Sequence, residues 1–252
     1  MSRVAVFPLI RALTAIGLFI SVIAVANIAL PSAAHADSCD PEDALFIQQD
    51  KSVHSYGTEA NIYVRNRDLD SNCADRSAWS MVNVISRDYN NNAEAGWREE
   101  FGSPAVFYPR VCWQMGNIEN CAYGNEISSG SWDAFKIASY PTGTNYFVGW
   151  IDKHDGNGWI LISSAGPDMG YSNGISMAET GRHGQTTGAL DHHKGLTFKD
   201  ALSNWPDWAQ QFQATAYGRY PDGVNGIPGY YYHKMSNTEY EVCQNGGTCP
   251  WQ

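Results

Sequence analysis

Short runs in which hydrophobic and polar residues alternate recur along the chain from residue 60 onward. A period of two places successive side chains on opposite faces of a β-strand, so each run predicts a strand. Clusters of Gly, Asn, Asp and Pro separate the runs, as is typical of turns. The predicted strands are 60–64, 78–85, 95–101, 106–115, 132–140, 145–152, 158–163, 175–180, 230–233 and 240–243.

The connections between these runs also indicate a β protein. The segment DKHDGNGW, residues 152–159, joins two strands through Asp-Gly and Asn-Gly pairs, which are typical of tight hairpins. Helical periodicity is weak, except for a turn or two predicted around 209–213. The number and spacing of the strands predict an all-β fold, an antiparallel two-sheet β-sandwich of the jelly-roll, concanavalin-like type.

The first 36 residues have the pattern of a secretory signal peptide. Arg3 and Arg11 precede an apolar stretch, and the motif AHA at 34–36 fits signal peptidase. We therefore expect a secreted, extracellular mature chain, residues 37–252, that forms a single domain without attachment to a membrane. Because the apolar stretch is longer than an ordinary signal, an uncleaved membrane anchor is the alternative.

The charge of the chain narrows the range of partners. The sequence has 16 basic and 26 acidic residues, a formal net charge of −10 at pH 7. Loss of the signal peptide makes the mature chain more negative, since that segment contains Arg3 and Arg11 and no acidic residue. An acidic surface repels nucleic acid and anionic lipid, so we expect neither as a partner.

All six cysteines follow the predicted cleavage site, which indicates disulfide bonds in an exported protein. Six cysteines allow fifteen pairings. Sequential pairing is favoured because Cys112 and Cys121, and likewise Cys243 and Cys249, flank short Gly/Asn turns. Cys39–Cys73 is the remaining pair. The cysteines and histidines do not have the spacing of a zinc site, and we expect no metal and no cofactor.

Two motifs suggest other chemistry but have simpler explanations. The sequence GYSNG at 170–174 satisfies G-x-S-x-G, yet a nucleophile elbow requires a core strand before it and a helix after it, and neither pattern is present. Asp152, Asp155 and Asn157 could offer oxygen ligands to calcium, but their spacing differs from an EF-hand and they belong to a hairpin turn. A serine hydrolase and a calcium site are therefore not favoured.

Two glutamates lie on predicted strands, and each has a glycine two positions later, in EAGW at 94–97 and SMAETG at 176–181. Two carboxyl groups that face each other across a groove can divide acid–base work. The ionised one activates a water molecule, and its partner, kept protonated by the shared negative charge, donates a proton. Two outward glutamates on a solvated sheet face would give the same pattern, so the sequence leaves both interpretations open.

Several segments, in their order and spacing, resemble the neprosin family of β-sandwich glutamic peptidases, which occurs in plants and has bacterial relatives. The similarity covers about residues 60–200, and residues 205–252 form a divergent C-terminal extension. The chain departs from the family in its short segment before the first matched strand and in Met177-Ala178, where the family usually has Gly-Gly. The similar segments are ANIYVRN (60–66), EAGW (94–97), VFYPRVCW (106–113), NYFVGWIDKHDGNGWILI (145–162), MGY (169–171) and MAETG (177–181).

This resemblance implies a neprosin-like glutamic endopeptidase whose catalytic residues are Glu94 and Glu179. Glu94 would face the groove, Gly96 would leave space for a substrate beside it, and Trp97 would pack below. We expect a peptide or protein substrate, an acidic pH optimum and a monomer. The residues predicted to bind substrate are Trp97, Tyr108, Trp113 and Trp150.

Two alternatives use the same fold differently. A non-catalytic, lectin-like protein could stack sugar rings on exposed aromatic side chains, with Trp113, Trp132 and Trp150 as its binding residues. A glycoside hydrolase could use Glu94 and Glu179, with the separation of the carboxyl groups setting the stereochemical outcome.

Overall fold

A computed structural model describes residues 43–67, 77–100, 104–163, 166–183, 190–217 and 230–244. These residues form strands and no helix, so no membrane-spanning helix is found among them. The strands are β1 (Asp43–Gln49), β2 (Gly57–Tyr63), β3 (Ser77–Ile85), β4 (Asn91–Glu100), β5 (Val106–Met115), β6 (Ile118–Tyr123), β7 (Trp132–Ser139), β8 (Phe147–Asp152), β9 (Ile160–Ser163), β10 (Ile175–His183), β11 (Leu190–Phe198), β12 (Gln211–Tyr217), β13 (Tyr230–Lys234) and β14 (Glu239–Gln244).

The strands form two antiparallel sheets of seven strands each. The first sheet has the order β12-β1-β10-β3-β4-β5-β6, and the second has the order β13-β14-β11-β2-β7-β8-β9. The predicted all-β, two-sheet sandwich is therefore confirmed. Half of the neighbouring pairs are not consecutive in the chain, so strands distant in sequence, such as β3 and β10, lie side by side.

The hydrophobic core lies between the sheets and takes every second side chain of the central strands. Val82 of β3, Ala95 of β4 and Phe135 of β7 are fully buried there. Burial of a side chain as large as Val or Phe contributes about 1.5–3 kcal/mol. The alternate positions of β3, β4 and β10 point away from the core, to what we call the outer face of the first sheet.

Strands that precede and strands that follow residues 60–200, the part of the chain that resembles neprosins, belong to the same sandwich. β1 pairs with β10 and β12 in the first sheet, and β14 pairs with β11 in the second. The described part of the C-terminal extension therefore completes both sheets. The helical turn predicted around 209–213 is wrong, because β12 begins at Gln211 and pairs with β1.

Polar side chains occupy one region of the core, and they explain why β11 was not predicted as a strand. Asp191 and His193 face the core from the first half of β11, and they are 2% and 0% exposed. The guanidinium of Arg67 donates hydrogen bonds to Asp191 and to the carbonyl oxygens of Trp79 and Gly181. Because a buried charge is costly unless it is paired, this contact allows Asp191 to stay inside.

The structure tests one of the predicted disulfide bonds. Cys112 and Cys121 occupy paired positions on β5 and β6 and are joined by a disulfide, as predicted. The pairs Cys39–Cys73 and Cys243–Cys249 lie wholly or partly outside the described residues, as does the signal peptide predicted for 1–36.

The buried imidazole of His193 should make stability depend on pH. Burial lowers the pKa of His193 to about 3, whereas the unfolded chain takes up a proton near pH 6.5. Between these values the unfolded state binds more protons, so the free energy of unfolding falls as pH decreases. We expect His193→Phe, which can still pack on Tyr240, to reduce this fall in melting temperature between about pH 6.5 and pH 4.

The matched control for this variant is the exposed histidine His54. Its replacement by Gln should leave the dependence of melting temperature on pH as it is in the unmodified protein. An equal dependence in His193→Phe and the unmodified protein would contradict the explanation.

Candidate active site

β3 lies between the two strands that carry the candidate catalytic glutamates. It pairs with β4 on one side and with β10 on the other. The register places Asn83 opposite Glu94 and Met81 opposite Glu179. Because positions 81 and 83 have the same parity on β3, both carboxyl groups project from the outer face of the first sheet.

The side-chain amide of Asn83 lies between the two carboxyl groups. Its Nδ2 donates a hydrogen bond to Oε2 of Glu179 at 3.0 Å and is 3.5 Å from Oε2 of Glu94. The sum of these two distances, about 6.5 Å, is the upper limit on the separation of the two oxygens. One water molecule bridges oxygens that are roughly 5.5 Å apart, so the spacing is compatible with a shared water.

Both oxygens of Glu179 accept hydrogen bonds from side-chain N–H groups of β3. Trp79 Nε1 donates to Oε1 at 2.7 Å, and Asn83 donates to Oε2. The residue is only 4% exposed. Donors that point at both oxygens favour the ionised form of a carboxyl group. The surroundings of Glu179 therefore suit a carboxylate that accepts a proton.

The glycine two positions after Glu179 makes room for the indole of Trp79. Gly181 and Trp79 are opposite each other in the register of β10 and β3. A Cβ atom at position 181 would lie 2.3 Å from Cε2 and Cζ2 of the indole. Any larger residue would displace the ring that donates to Glu179.

The glycine two positions after Glu94 has a different function from the predicted one. A Cβ atom at Gly96 would lie 2.0 Å from the carbonyl oxygen of Ser80 and 2.7 Å from Sδ of Met81. The space beside Glu94 is therefore occupied by β3, and the prediction that Gly96 leaves space for a substrate is wrong. Gly96 instead allows β3 and β4 to approach closely.

The surroundings of Glu94 favour its charged form less than those of Glu179 do. Asn92 Nδ2 donates to its Oε2 at 3.0 Å, while Nη2 of Arg110 is 3.4 Å from its Oε1. Burial and, after it, the negative charge of Glu179 raise the pKa of Glu94 to about 8, although the positive charge of Arg110 acts in the opposite direction. Glu94 therefore keeps its proton at neutral pH, and the two carboxyl groups differ in the way that acid–base catalysis requires.

Both carboxyl groups line a cavity of about 290 Å³ on the outer face of the first sheet. Phe46 and Trp79 form its wall near Glu179. Arg110 and Glu119, joined by a hydrogen bond of 2.6 Å, form its wall near Glu94. The cavity is thus apolar at one end and charged at the other.

The four aromatic residues predicted to bind substrate do not line this cavity. Trp97 and Trp113 are 0% and 8% exposed and belong to the core between the sheets. Trp97 follows Glu94 by an odd number of positions, which puts the two side chains on opposite faces of β4. Trp150 lies on β8 of the second sheet, and Tyr108 packs on Tyr123 at the outer face of the first sheet. The predicted substrate contacts of Trp97, Trp113 and Trp150 do not fit these positions.

Several residues that line the cavity or hold the glutamates, among them Asn83, Trp79, Arg110 and Phe46, were not predicted from the sequence. Asn83 and Trp79 share their parity on β3, and Arg110 shares its parity with Cys112 on β5, so alternation could have indicated a common face. Phe46 had no comparable signal, because β1 was not predicted as a strand. The contacts among these residues depend on the register between strands, which a single sequence does not provide.

Comparisons with known proteins give a fold and no family. No protein-family model matches the sequence, and no curated protein matches it either. The structure is similar to scytalido-glutamic peptidase with a peptide-based transition-state analogue, with a TM-score of 0.55, 8% identity and coverage of 81% of this chain and 98% of that chain. It is also similar to SCP-B, a member of the Eqolisin family of peptidases, in complex with the tripeptide Ala-Ile-His, with a TM-score of 0.53, 7% identity and coverage of 81% and 98%. Identities this low show a shared fold alone.

The contact between Gly181 and Trp79 can be tested by a double-mutant cycle. We expect Gly181→Ala to destabilise the protein by about 1–3 kcal/mol, because the new methyl group overlaps the indole. In a Trp79→Ala background the same substitution should cost much less, since the indole is gone. Chemical denaturation of the four proteins measures the coupling, and additive effects of the two substitutions would contradict the proposed contact.

The raised pKa of Glu94 predicts a pH dependence opposite to that of His193. The unfolded chain loses this proton near pH 4.5, whereas the folded protein holds it to about pH 8. In this window the folded state binds more protons, so the free energy of unfolding falls as pH rises. We expect Glu94→Gln to reduce the fall in melting temperature between about pH 5 and pH 8, because the amide does not ionise.

Glu126, which is exposed, supplies the matched control for this variant. Glu126→Gln should retain the decline in melting temperature seen in the unmodified protein. Persistence of the full decline in Glu94→Gln would show that this carboxyl group does not cause it.

Proposed function

We propose that the chain is a secreted glutamic-peptidase-like hydrolase that cleaves peptide bonds with Glu94, Glu179 and an activated water molecule. The observation that carries the proposal is the convergence of two buried carboxyl groups on one amide, that of Asn83, inside a single cavity. The fold shared with glutamic peptidases supports it, and one of those peptidases is bound to a peptide-based transition-state analogue. The resemblance of the segments around both glutamates to the neprosin family supports the same two residues.

The contacts of each carboxyl group suggest a division of roles. Glu179, ionised and held by Trp79 and Asn83, is the base. It removes a proton from the water molecule as the water oxygen attacks the carbonyl carbon of the peptide. Glu94, protonated because it is buried beside Glu179, donates its proton to the carbonyl oxygen.

Collapse of the tetrahedral intermediate restores both groups. Glu179 gives the proton taken from water to the leaving nitrogen as the C–N bond breaks. Glu94 recovers its proton from the hydroxyl group that becomes the new carbonyl. The products are a carboxylic acid and an amine, and each glutamate ends in its initial state.

Secretion and a peptide substrate complete the proposal. The signal-peptide pattern of residues 1–36 and the Cys112–Cys121 disulfide support export, since disulfides persist in oxidising compartments. The sequence similarity supports a neprosin-like endopeptidase within this class. The apolar wall formed by Phe46 and Trp79 suits an apolar side chain of the peptide.

The lectin-like alternative has less support from the structure. Trp113 is buried in the core. The ammonium group of Lys194 is 3.7 Å from the ring centroid of Trp132, and that of Lys136 is 5.3 Å from the ring centroid of Trp150. These ammonium groups cover ring surface on which a sugar would stack.

The proposal predicts a peptidase that depends on both glutamates. Protein recovered from the medium of an expressing host is incubated with a denatured protein and, in parallel, with a panel of polysaccharides. We expect cleavage of the protein substrate, and a loss of about 100-fold or more in both Glu94→Gln and Glu179→Gln. Glu126→Gln is the control and should remain active. Release of sugars instead of peptides, or full activity in either glutamate variant, would refute the proposal.

The pH profile gives a separate test of the division of roles. Glu94 must hold its proton, so activity should fall as pH rises through the pKa of about 8 given by its burial. Activity should also fall in acid as Glu179 becomes protonated. The measurement is the rate of peptide cleavage from about pH 3 to pH 10. A rate that is constant over this range would exclude the paired mechanism.

A further inference from the structure

We infer that Arg110 binds a carboxylate group of the substrate, so that the cavity prefers a peptide with a carboxylate at its Glu94 end. This inference rests on the proposed function and deepens it by naming a class of substrate. It begins from the position of the guanidinium, which lines the cavity although the side chain of Arg110 is only 6% exposed.

Arg110 is held in place from several directions. Its Nε points to Sγ of Cys112, a disulfide-bonded atom on the same strand. Its Nη2 donates to Oε1 of Glu119 at 2.6 Å and lies 3.4 Å from Oε1 of Glu94. The guanidinium is therefore fixed beside the candidate catalytic pair before any ligand binds, which reduces the entropy lost on binding.

Arg110 is the cation among the residues that line the cavity, which also include the carboxyl groups of Glu94, Glu119 and Glu179. Burial raises the pKa of Glu94 to about 8, so this neighbour is uncharged in neutral and acidic solution. Glu119 is then the ionised group paired with the guanidinium, because Glu179, the other carboxylate of the cavity, lies on β10, three strands away from β5. A cation in a poorly solvated site attracts an anionic ligand more strongly than one in water does.

Glu119 is a partner that a ligand can replace. It lies on β6, the edge strand of the first sheet, and its side chain is 50% exposed. Ion pairs with an exposed member contribute little to stability, so Glu119 can turn to solvent at small cost. The planar guanidinium offers parallel N–H donors that match the two oxygens of an incoming carboxylate.

The other end of the cavity gives the substrate a direction. Phe46 and Trp79 present apolar surface beside Glu179, whereas Arg110 and Glu119 lie on β5 and β6, beyond Glu94 in the order of the sheet. A peptide that spans the catalytic pair would therefore place an apolar group at the Glu179 end and its carboxylate at the Glu94 end. The carboxylate can be that of an Asp or Glu side chain or that of a C-terminus, and the experiment below separates these sources.

Matched peptides test the inference through a ratio of rates. One pair has Glu or Gln at the same internal position, and a second pair ends in a free acid or an amide. We expect at least one carboxylate peptide to be cleaved with a kcat/KM roughly 10-fold above its neutral partner, as expected for a hydrogen bond to a charged group. The pair that shows the preference identifies the source of the carboxylate.

Substitutions of Arg110 and of Glu119 should change the ratio of kcat/KM between carboxylate and neutral peptides in opposite directions. Arg110→Gln should bring it close to one, and Arg110→Lys should restore part of it because the positive charge returns. Glu119→Gln should increase it, since the competing carboxylate is removed. A purely structural role of the ion pair would impair all peptides alike and leave the ratio unchanged.

Binding measurements separate this inference from the proposed function. Tryptophan fluorescence reports the affinity of the same peptides for Glu179→Gln, with and without Arg110→Gln. Tighter binding of the carboxylate peptide that requires Arg110 supports the inference even if no peptide is cleaved by the unmodified protein, in which case the proposed function fails. Equal cleavage and equal binding of charged and neutral peptides would overturn the inference and leave the proposed function standing.

Discussion

The arrangement of the candidate site depends on one hydrogen-bond donor, the side-chain amide of Asn83, which lies between two carboxyl groups. Two buried carboxylates so close together repel each other, and burial disfavours the charge of each. An N–H donor at 3.0 Å from Glu179 and 3.5 Å from Glu94 favours one ionised and one protonated group. The asymmetry is increased by Trp79, which donates to Glu179 alone. The neighbouring side chains thus assign different proton states to two chemically identical groups.

β3 serves two functions because one of its faces carries core residues and the other carries residues of the candidate site. Its even-numbered residues, such as Val82, fill the core, while Trp79 and Asn83 project from the outer face and hold the glutamates. Gly96 allows this strand to lie close to β4, and Gly181 on β10 leaves room for the indole of Trp79. The core therefore fixes the strand, and the strand fixes the distance between the carboxyl groups.

Much of this arrangement was accessible from the sequence, but its closest contacts were not. Alternating hydrophobicity predicts most strands and the sandwich, and the recurrence of a glycine two positions after each glutamate predicts a shared setting. The meaning of the glycines was missed at Gly96, because neither the close approach of the neighbouring strand nor the register of the sheet is encoded in local spacing. β11 was missed because Asp191 and His193 are polar residues in core positions, where binary patterning fails. Trp97 and Trp113 were predicted to bind substrate from the resemblance to neprosins, although their parity places them on the opposite face from Glu94.

The guanidinium of Arg67 has a consequence for how this protein can change. It spans the carbonyl oxygens of Trp79 and Gly181, the same two residues whose contact positions the indole beside Glu179. Protein cores usually tolerate exchange of one apolar residue for another of similar volume. Here the buried ion pair of Arg67 and Asp191 is connected to the candidate catalytic pair through the backbone carbonyl groups of Trp79 and Gly181. Substitutions that disturb Arg67 in the interior would therefore also disturb the cavity. Evolutionary change in the core and in the cavity is constrained together by this one arginine.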